Sequence, residues 1–165
     1  MCNPPEWLPN LVGLSEADGN PMQYFEVLYE YYSNDFIYST PEFLGKPVYQ
    51  NSTSIKDGKE ESFWHILQGE HQDQIAEDMG RHKRIRWVRA IIDNAEIQKL
   101  KCWRIEETKK GRKRTKVKIS LDDFSYIVIL GEKKKHYVLI TGFPIDRPRI
   151  RDSLRKEWEK HKFDP

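Results

Sequence analysis

His65 stands in the apolar run Phe63-Trp64-His65-Ile66-Leu67. An imidazole titrates near neutral pH, so one held on a rigid element can act as a general acid or base. The same residue in an apolar run can also be a hydrogen-bonded structural histidine. Downstream, Arg81, Lys83, Arg84, Arg86 and Arg89 crowd around Trp87, and Lys99, Lys101 and Arg104 surround Trp103. Cations interleaved with aromatic rings suit phosphate contact combined with base stacking. A solvated helix or a lysine-protected edge strand has the same composition. Thr141 lies near the end of a β-like run with Tyr137 and is placed to offer a hydroxyl to a phosphate oxygen.

Taken together these residues suit chemistry at a phosphate, which needs an acid, a base and positive charge on the phosphoryl oxygens. His65 would supply acid or base, and Arg84 and Arg86 the charge, arginine being suited to bidentate phosphate binding. Thr141 would position a phosphate oxygen. Lys101, Arg104, Arg89, Trp87, Trp103 and Tyr137 are the candidate RNA contacts. The second proton-transfer group is not identifiable from the sequence, and a non-catalytic RNA-binding or protein-interaction module is the alternative reading.

Other chemistries are set aside by what the chain lacks. It contains no GxGxxG, GxxxxGK[ST], GxSxG or HExxH. His65, His71, Asp73, Asp78 and His82 match no metal-ligand spacing, and Cys2 with Cys102 forms neither a disulfide framework nor a zinc site. No metal and no cofactor are therefore expected. No apolar run reaches the roughly 18 residues of a membrane span, and the first residues lack signal-peptide character. A cytoplasmic protein without membrane contact is the expectation.

The formal charge of +2 conceals a segregation. Residues 1–80 carry three Lys/Arg against fourteen Asp/Glu, a net of −11, whereas residues 81–165 carry twenty-five against twelve, a net of +13. Such asymmetry points to nucleic-acid contact, although two halves that fold together could simply neutralise each other.

The elements that must hold these residues follow from pattern. Residues 1–20 read as an irregular leader anchored by Trp7 and Leu11, and 21–60 as an acidic helical and loop segment. Residues 61–165 read as a basic α+β core, all within a single domain. Asn20-Pro21 starts a helix that runs to about Phe36, with Phe25, Leu28, Tyr32 and Phe36 on one face. Thr40-Pro41 and Gly45-Lys46-Pro47 mark a loop and Asp57-Gly58 a turn. Phe63–Leu67 reads as a buried strand, with His65 opposite Trp64 and Ile66. Gln72–Gly80 reads as a short helix ended by Gly80, and Arg84–Ile92 as a helix burying Ile85, Val88 and Ile92. From Leu100 to Phe143 four antiparallel strands are expected, turning at Lys109–Arg112 and Gly131-Glu132. On the last of them Tyr137, Leu139 and Thr141 share a face. Ile150, Leu154 and Trp158 then define a closing amphipathic helix. The fold class is α+β, with N-terminal helices, a four- to five-stranded antiparallel sheet and a C-terminal helix.

One ordered set of motifs carries a resemblance. Asp57-Gly58-Lys59 precedes Phe63-Trp64-His65-Ile66. Then come Arg84-Ile85-Arg86-Trp87, Ile91-Ile92-Asp93-Asn94 and finally Tyr137-Val138-Leu139-Ile140-Thr141-Gly142-Phe143. Over about residues 22–160 this succession resembles prophage and mobile-element proteins grouped with the barnase–EndoU–colicin–RelE-like ribonuclease superfamily. The resemblance implies helices followed by a four-stranded antiparallel sheet. It also implies metal-independent endoribonuclease activity of toxin or phage-defence type on tRNA or mRNA, by attack of a ribose 2′-hydroxyl on the adjacent phosphate to give a 2′,3′-cyclic phosphate and a 5′-hydroxyl, and leaves room for an inhibitory partner protein. It assigns catalysis to His65, Arg84 or Arg86, and Thr141. Relatives often close the last strand with Thr-Ala-Tyr; Thr141-Gly142-Phe143 departs from this, which removes a terminal tyrosine hydroxyl or passes its role to Tyr137.

Overall fold

The computed structural model of the chain describes residues 3–52, 55–68 and 79–165. Helix α1 spans Pro21–Phe36. Its start follows from local chemistry: Asn20 Oδ1 accepts from the backbone N–H groups of Met22 (3.0 Å) and Gln23 (3.3 Å). Pro21 occupies the first turn, where a missing N–H costs nothing. Tyr24, Leu28, Tyr32 and Phe36 form its buried stripe, with Phe25 at the margin. In the leader Trp7 packs against the core as expected, but Leu11 is exposed and the true anchors are Leu8 and Val12.

Two short strands, β1 (Glu42–Phe43) and β2 (Lys46–Tyr49), are followed by the small hairpin β3 (Ile55–Lys56) and β4 (Lys59–Glu60), which turns at Asp57-Gly58. Three helices come next: α2 (Glu61–Gln68), α3 (Met79–Lys83) and α4 (Ile85–Asn94). The rest is β5 (Lys101–Lys109), β6 (Arg112–Ser120), β7 (Tyr126–Glu132), β8 (Tyr137–Pro144), α5 (Pro148–His161) and β9 (Lys162–Phe163). Among the described residues no helix is long and apolar enough to cross a membrane.

The fold is α+β. Its main sheet has seven strands in the order β1-β2-β8-β7-β6-β5-β9. This corrects the expected four to five antiparallel strands: the central meander β5 to β8 is as read, but β2 joins β8 in parallel through Val48↔Tyr137 and Tyr49↔Val138. The added strands are only two to four residues long, and Pro47 lies inside one of them. Such segments read as loop because proline is confined to sheet edges. Gly131 and Glu132 also belong to β7, so the reversal lies just beyond them, where Lys133 N–H donates to the His136 carbonyl at 2.9 Å.

A second correction concerns Phe63–Leu67, which is helical. Phe63, Ile66 and Leu67 stand at i, i+3 and i+4 and are all buried, the spacing of a helix face rather than of a strand. Gly80 lies within α3 instead of ending a helix, and residues 72–78 of that expectation fall outside the described residues. Helix α4 buries Ile85, Val88 and Ile92 as expected, together with Trp87 and Ile91.

Two cores flank the sheet. The larger joins α1, α2 and α4 to Cys102, Val117, Ile119, Val128, Leu130 and Leu139 on one face. The smaller lies on the opposite face under α5, around Trp103, Phe124, Ile127 and Ile145. Between β7 and β8 the register shifts: Leu130 faces Leu139 but Ile129 faces Thr141, so Ile140 is an extra residue. This bulge reverses the alternation. Thr141 is therefore moved off the face that Leu139 occupies, and Gly142 comes to lie over the large core. A Cβ at Gly142 would sit 2.9 Å from Val88 Cγ2 and 3.1 Å from the Tyr126 hydroxyl. Gly142→Ala is accordingly expected to destabilise the protein by about 1–3 kcal/mol through overpacking. Urea unfolding measures this, and an unchanged midpoint would show that the contact relaxes freely.

Candidate active site at the junction of α2, α3 and β8

Helix α2 buries one side completely and leaves Glu61 and His65 on the other. These residues are one turn apart, with His65 Nε2 3.4 Å from Glu61 Oε1. Both side chains are partly solvated, at 41% and 35% exposure, so the imidazole is held yet reachable. The carboxylate is gripped from its other side by Asn51, whose Nδ2 donates to Glu61 Oε2 at 3.3 Å. Asn51 is itself fixed to the first turn of α2: its N–H donates to Ser62 Oγ (2.6 Å), and Ser62 N–H donates to its carbonyl (3.2 Å). The result is a linear Asn51–Glu61–His65 arrangement on a rigid helix. A carboxylate in this position orients a histidine ring.

Thr141 is brought to His65, but through the main chain. Its hydroxyl donates to the His65 carbonyl at 3.2 Å and pins α2 against β8. Arg84 Nη1 donates to the Gly80 carbonyl at 3.0 Å, while its guanidinium lies over the Trp87 ring at 5.1 Å. Arg81 lies 4.9 Å from the ring centre of Phe143, two residues along β8 from Thr141. Gly80 approaches Pro144 on the same strand. His65, Thr141 and Arg81 thus come from α2, β8 and α3, three elements that pack against one another, and Arg84 lies in the turn between α3 and α4. Behind them the fully buried Tyr126 hydroxyl has no hydrogen-bond partner among the described residues, and burial pushes its pKa far up.

Arg86 and Arg89 are not part of this junction. Arg86 lies over the Tyr31 ring at 4.8 Å. Arg89 grips Asp93 (Nε to Oδ1 3.0 Å, Nε to Oδ2 2.8 Å) and donates to the Asp35 carbonyl and to Ser39 Oγ. Both arginines fasten α4 to α1. Burial raises the nearby Asp35 carboxyl from 3.8 to about 6, against the opposing pull of Arg89 and Arg86. A carboxyl with a higher pKa folded than unfolded binds more protons when folded, so its contribution to stability falls as pH rises from about 4 to about 6. Asp35→Asn is therefore expected to gain melting temperature over the parent between pH 4 and pH 7. Thermal melts across that range test this, and a constant difference would contradict it.

The candidate RNA contacts are mostly spoken for. Trp103 is 0% exposed and Trp87 7%, so neither ring can offer a face to a base. Their indole N–H groups donate to Glu157 Oε1 (2.8 Å) and to the Pro9 carbonyl (2.9 Å). Tyr137 is buried, and Arg104 is paired with Glu132 at 3.1 Å. Lys101 lies over the Trp158 ring at 4.5 Å. Trp87 is buried on the core side of α4, and on β5 Cys102 and Trp103 are buried in opposite cores, so the neighbouring cations flank packed rings and form no stacking surface. Cys102 is buried, and its thiol is pushed up to about 12 by burial, which leaves it unreactive. Among the described residues no group of three or more His, Cys, Asp or Glu could hold a metal ion; His82 is buried, and His71, Asp73 and Asp78 lie outside the described residues.

Glu61 and Asn51 were missed as site residues, and Arg81 was read only as one of the basic cluster around Trp87. The spacing Glu61-x-x-x-His65 was the available signal, and the strand assignment concealed it, because residues four apart meet only on a helix. Comparisons with protein-family models, with curated proteins and with solved structures return no match to this chain.

Proposed function

We propose that the chain is a metal-independent endoribonuclease that cleaves by 2′-hydroxyl attack to a 2′,3′-cyclic phosphate. One arrangement carries this reading: a half-exposed imidazole oriented by a carboxylate, on a helix fastened to the strand that Arg81 also approaches. His65 takes the 2′-hydroxyl proton or delivers one to the leaving 5′-oxygen. Each such transfer is worth roughly 10²–10⁴ in rate. Glu61 holds the ring and balances its charge when protonated. Arg84 and Arg81 supply positive charge toward the phosphorane, an electrostatic contribution that acts most strongly in the transition state.

Charge distribution supports RNA as the substrate. The ion pairs Arg89–Asp93, Arg104–Glu132, Lys116–Glu107 and Lys118–Glu157 each lie within residues 81–165, and Lys59–Glu26 lies within residues 1–80. Residues 81–165 carry a net charge of +13, which favours a polyanionic partner. Incubation of the purified protein with tRNA and with mRNA, followed by gel analysis, tests the proposal; intact RNA in both would overturn it. A second reading, RNA binding without cleavage, is favoured by the engagement of Arg86 and Arg89 on α1, which leaves fewer cations near His65.

A further inference from the structure

Among the described residues the face of the sheet that carries α5 is covered only at one end. The cluster under α5 reaches Ile105 and Ile129 and stops there. Beyond it, one row of residues crosses five strands: Tyr49 faces Val138, Val138 faces Gly131, Gly131 faces Lys116, and Lys116 faces Ile105. Lys118, two residues along β6 from Lys116, reaches Glu157 on α5 at 2.6 Å, which fixes the row on the α5 side.

The two ends of this row differ in chemistry. At the β2 end Tyr49 is 50% exposed, and its ring lies 5.4 Å from that of His136. At the other end the β5–β6 ribbon projects past the sheet, since β6 pairs with β7 only from Thr115 onward. The alternation that puts Lys116 on this face also puts Arg114, Arg112 and Lys109 there, all exposed. Lys116 is paired with Glu107 at 2.9 Å, but among the described residues Arg112, Arg114 and Lys109 have no ion-pair partner. In the middle, Gly131 leaves a trough. A Cβ there would meet only Ile140 and Val138, at ordinary distances of 3.7–4.0 Å, so packing does not demand the glycine.

From this we propose that the open face binds single-stranded RNA, with a base stacked on Tyr49 and His136, the strand crossing the Gly131 trough, and phosphates at Arg112, Arg114 and Lys109. Three strand spacings separate Tyr49 from the level of Lys116, roughly 14 Å at about 4.8 Å each, and Arg114 and Arg112 lie two and four residues farther along β6, about 7 and 14 Å at about 3.4 Å per residue, a span that several nucleotides cover. An exposed tyrosine ring and unpaired cations on one sheet face are the combination that single strands need, because unstacked bases offer their faces while the backbone supplies charge. The assignment rests on RNA as the partner but not on cleavage.

Binding is best measured with a labelled 2′-O-methyl oligouridylate, which lacks the nucleophile and so cannot be cleaved. Replacing both Arg112→Gln and Arg114→Gln should weaken binding and reduce the log–log salt slope by about 1.4, at roughly 0.7 per lost phosphate contact. Tyr49→Ala should weaken binding roughly tenfold, within the range for one stacked base, with the slope unchanged. Gly131→Val should weaken binding with an unaltered melting temperature. Tighter binding of duplex RNA, equal competition by polyglutamate, or parental affinity in Tyr49→Ala and Gly131→Val would overturn the assignment. If these variants lose binding while the parent cleaves no RNA, the face stands and the nuclease reading falls. If the parent cleaves RNA and the variants keep its KM, the reverse holds.

Discussion

His65→Ala is expected to slow RNA cleavage by roughly 10²–10⁴, the usual worth of one proton-transfer group, while leaving RNA affinity nearly unchanged. The fold should survive, because the tie between α2 and β8 runs from the Thr141 hydroxyl to the His65 carbonyl, which alanine retains. Nor is a buried side chain lost, since the imidazole is 41% exposed. Glu61→Gln should cost less than His65→Ala, because a neutral amide still contacts the ring but no longer balances its positive charge. The informative readout is single-turnover cleavage beside circular dichroism. Parental activity in His65→Ala would reduce this histidine to a surface residue of α2.

Trp103→Ala is expected to destabilise the protein by about 3–5 kcal/mol, the usual cost of removing a fully buried tryptophan. That is a large share of the 5–15 kcal/mol that typically separates folded from unfolded. The ring is 0% exposed, lies 6.1 Å from the Phe124 ring and donates to Glu157 on α5. Its loss opens a cavity in the small core and removes one of the two donors to Glu157 Oε1, leaving Lys118 Nζ. Chemical denaturation should show an earlier midpoint, with RNA affinity of the remaining folded protein unaffected. Normal stability with weakened RNA binding would mean that the ring is accessible after all.

These two residues show what could be read from the sequence. The meander from Lys101 to Pro144 was legible because hydrophobic alternation and turn chemistry agree there. The start of α1 was legible because Asn20-Pro21 is a local signal that needs no tertiary contact. Phe63–Leu67 was not, since a five-residue apolar run fits either period and its helical form depends on burial beneath β8. That single ambiguity hid Glu61. Trp87 and Trp103 misled for a related reason: side-chain type does not say which face of an element is covered. The parallel pairing of β2 with β8 joins residues nearly ninety positions apart, and nothing local announces it. The bulge at Ile140 likewise exists only in the pairing, yet it decides where Thr141 and Gly142 point.

Product chemistry in the presence of EDTA tests the central claim most directly. The protein is incubated with a defined RNA, and the fragment ends are identified by mass and by susceptibility to kinase and phosphatase. Fragments bearing a 2′,3′-cyclic phosphate and a 5′-hydroxyl, formed at the same rate with and without EDTA and lost in His65→Ala, are the expected result. Fragments with 3′-hydroxyl and 5′-phosphate ends, or cleavage that EDTA abolishes and Mg²⁺ restores, would contradict it.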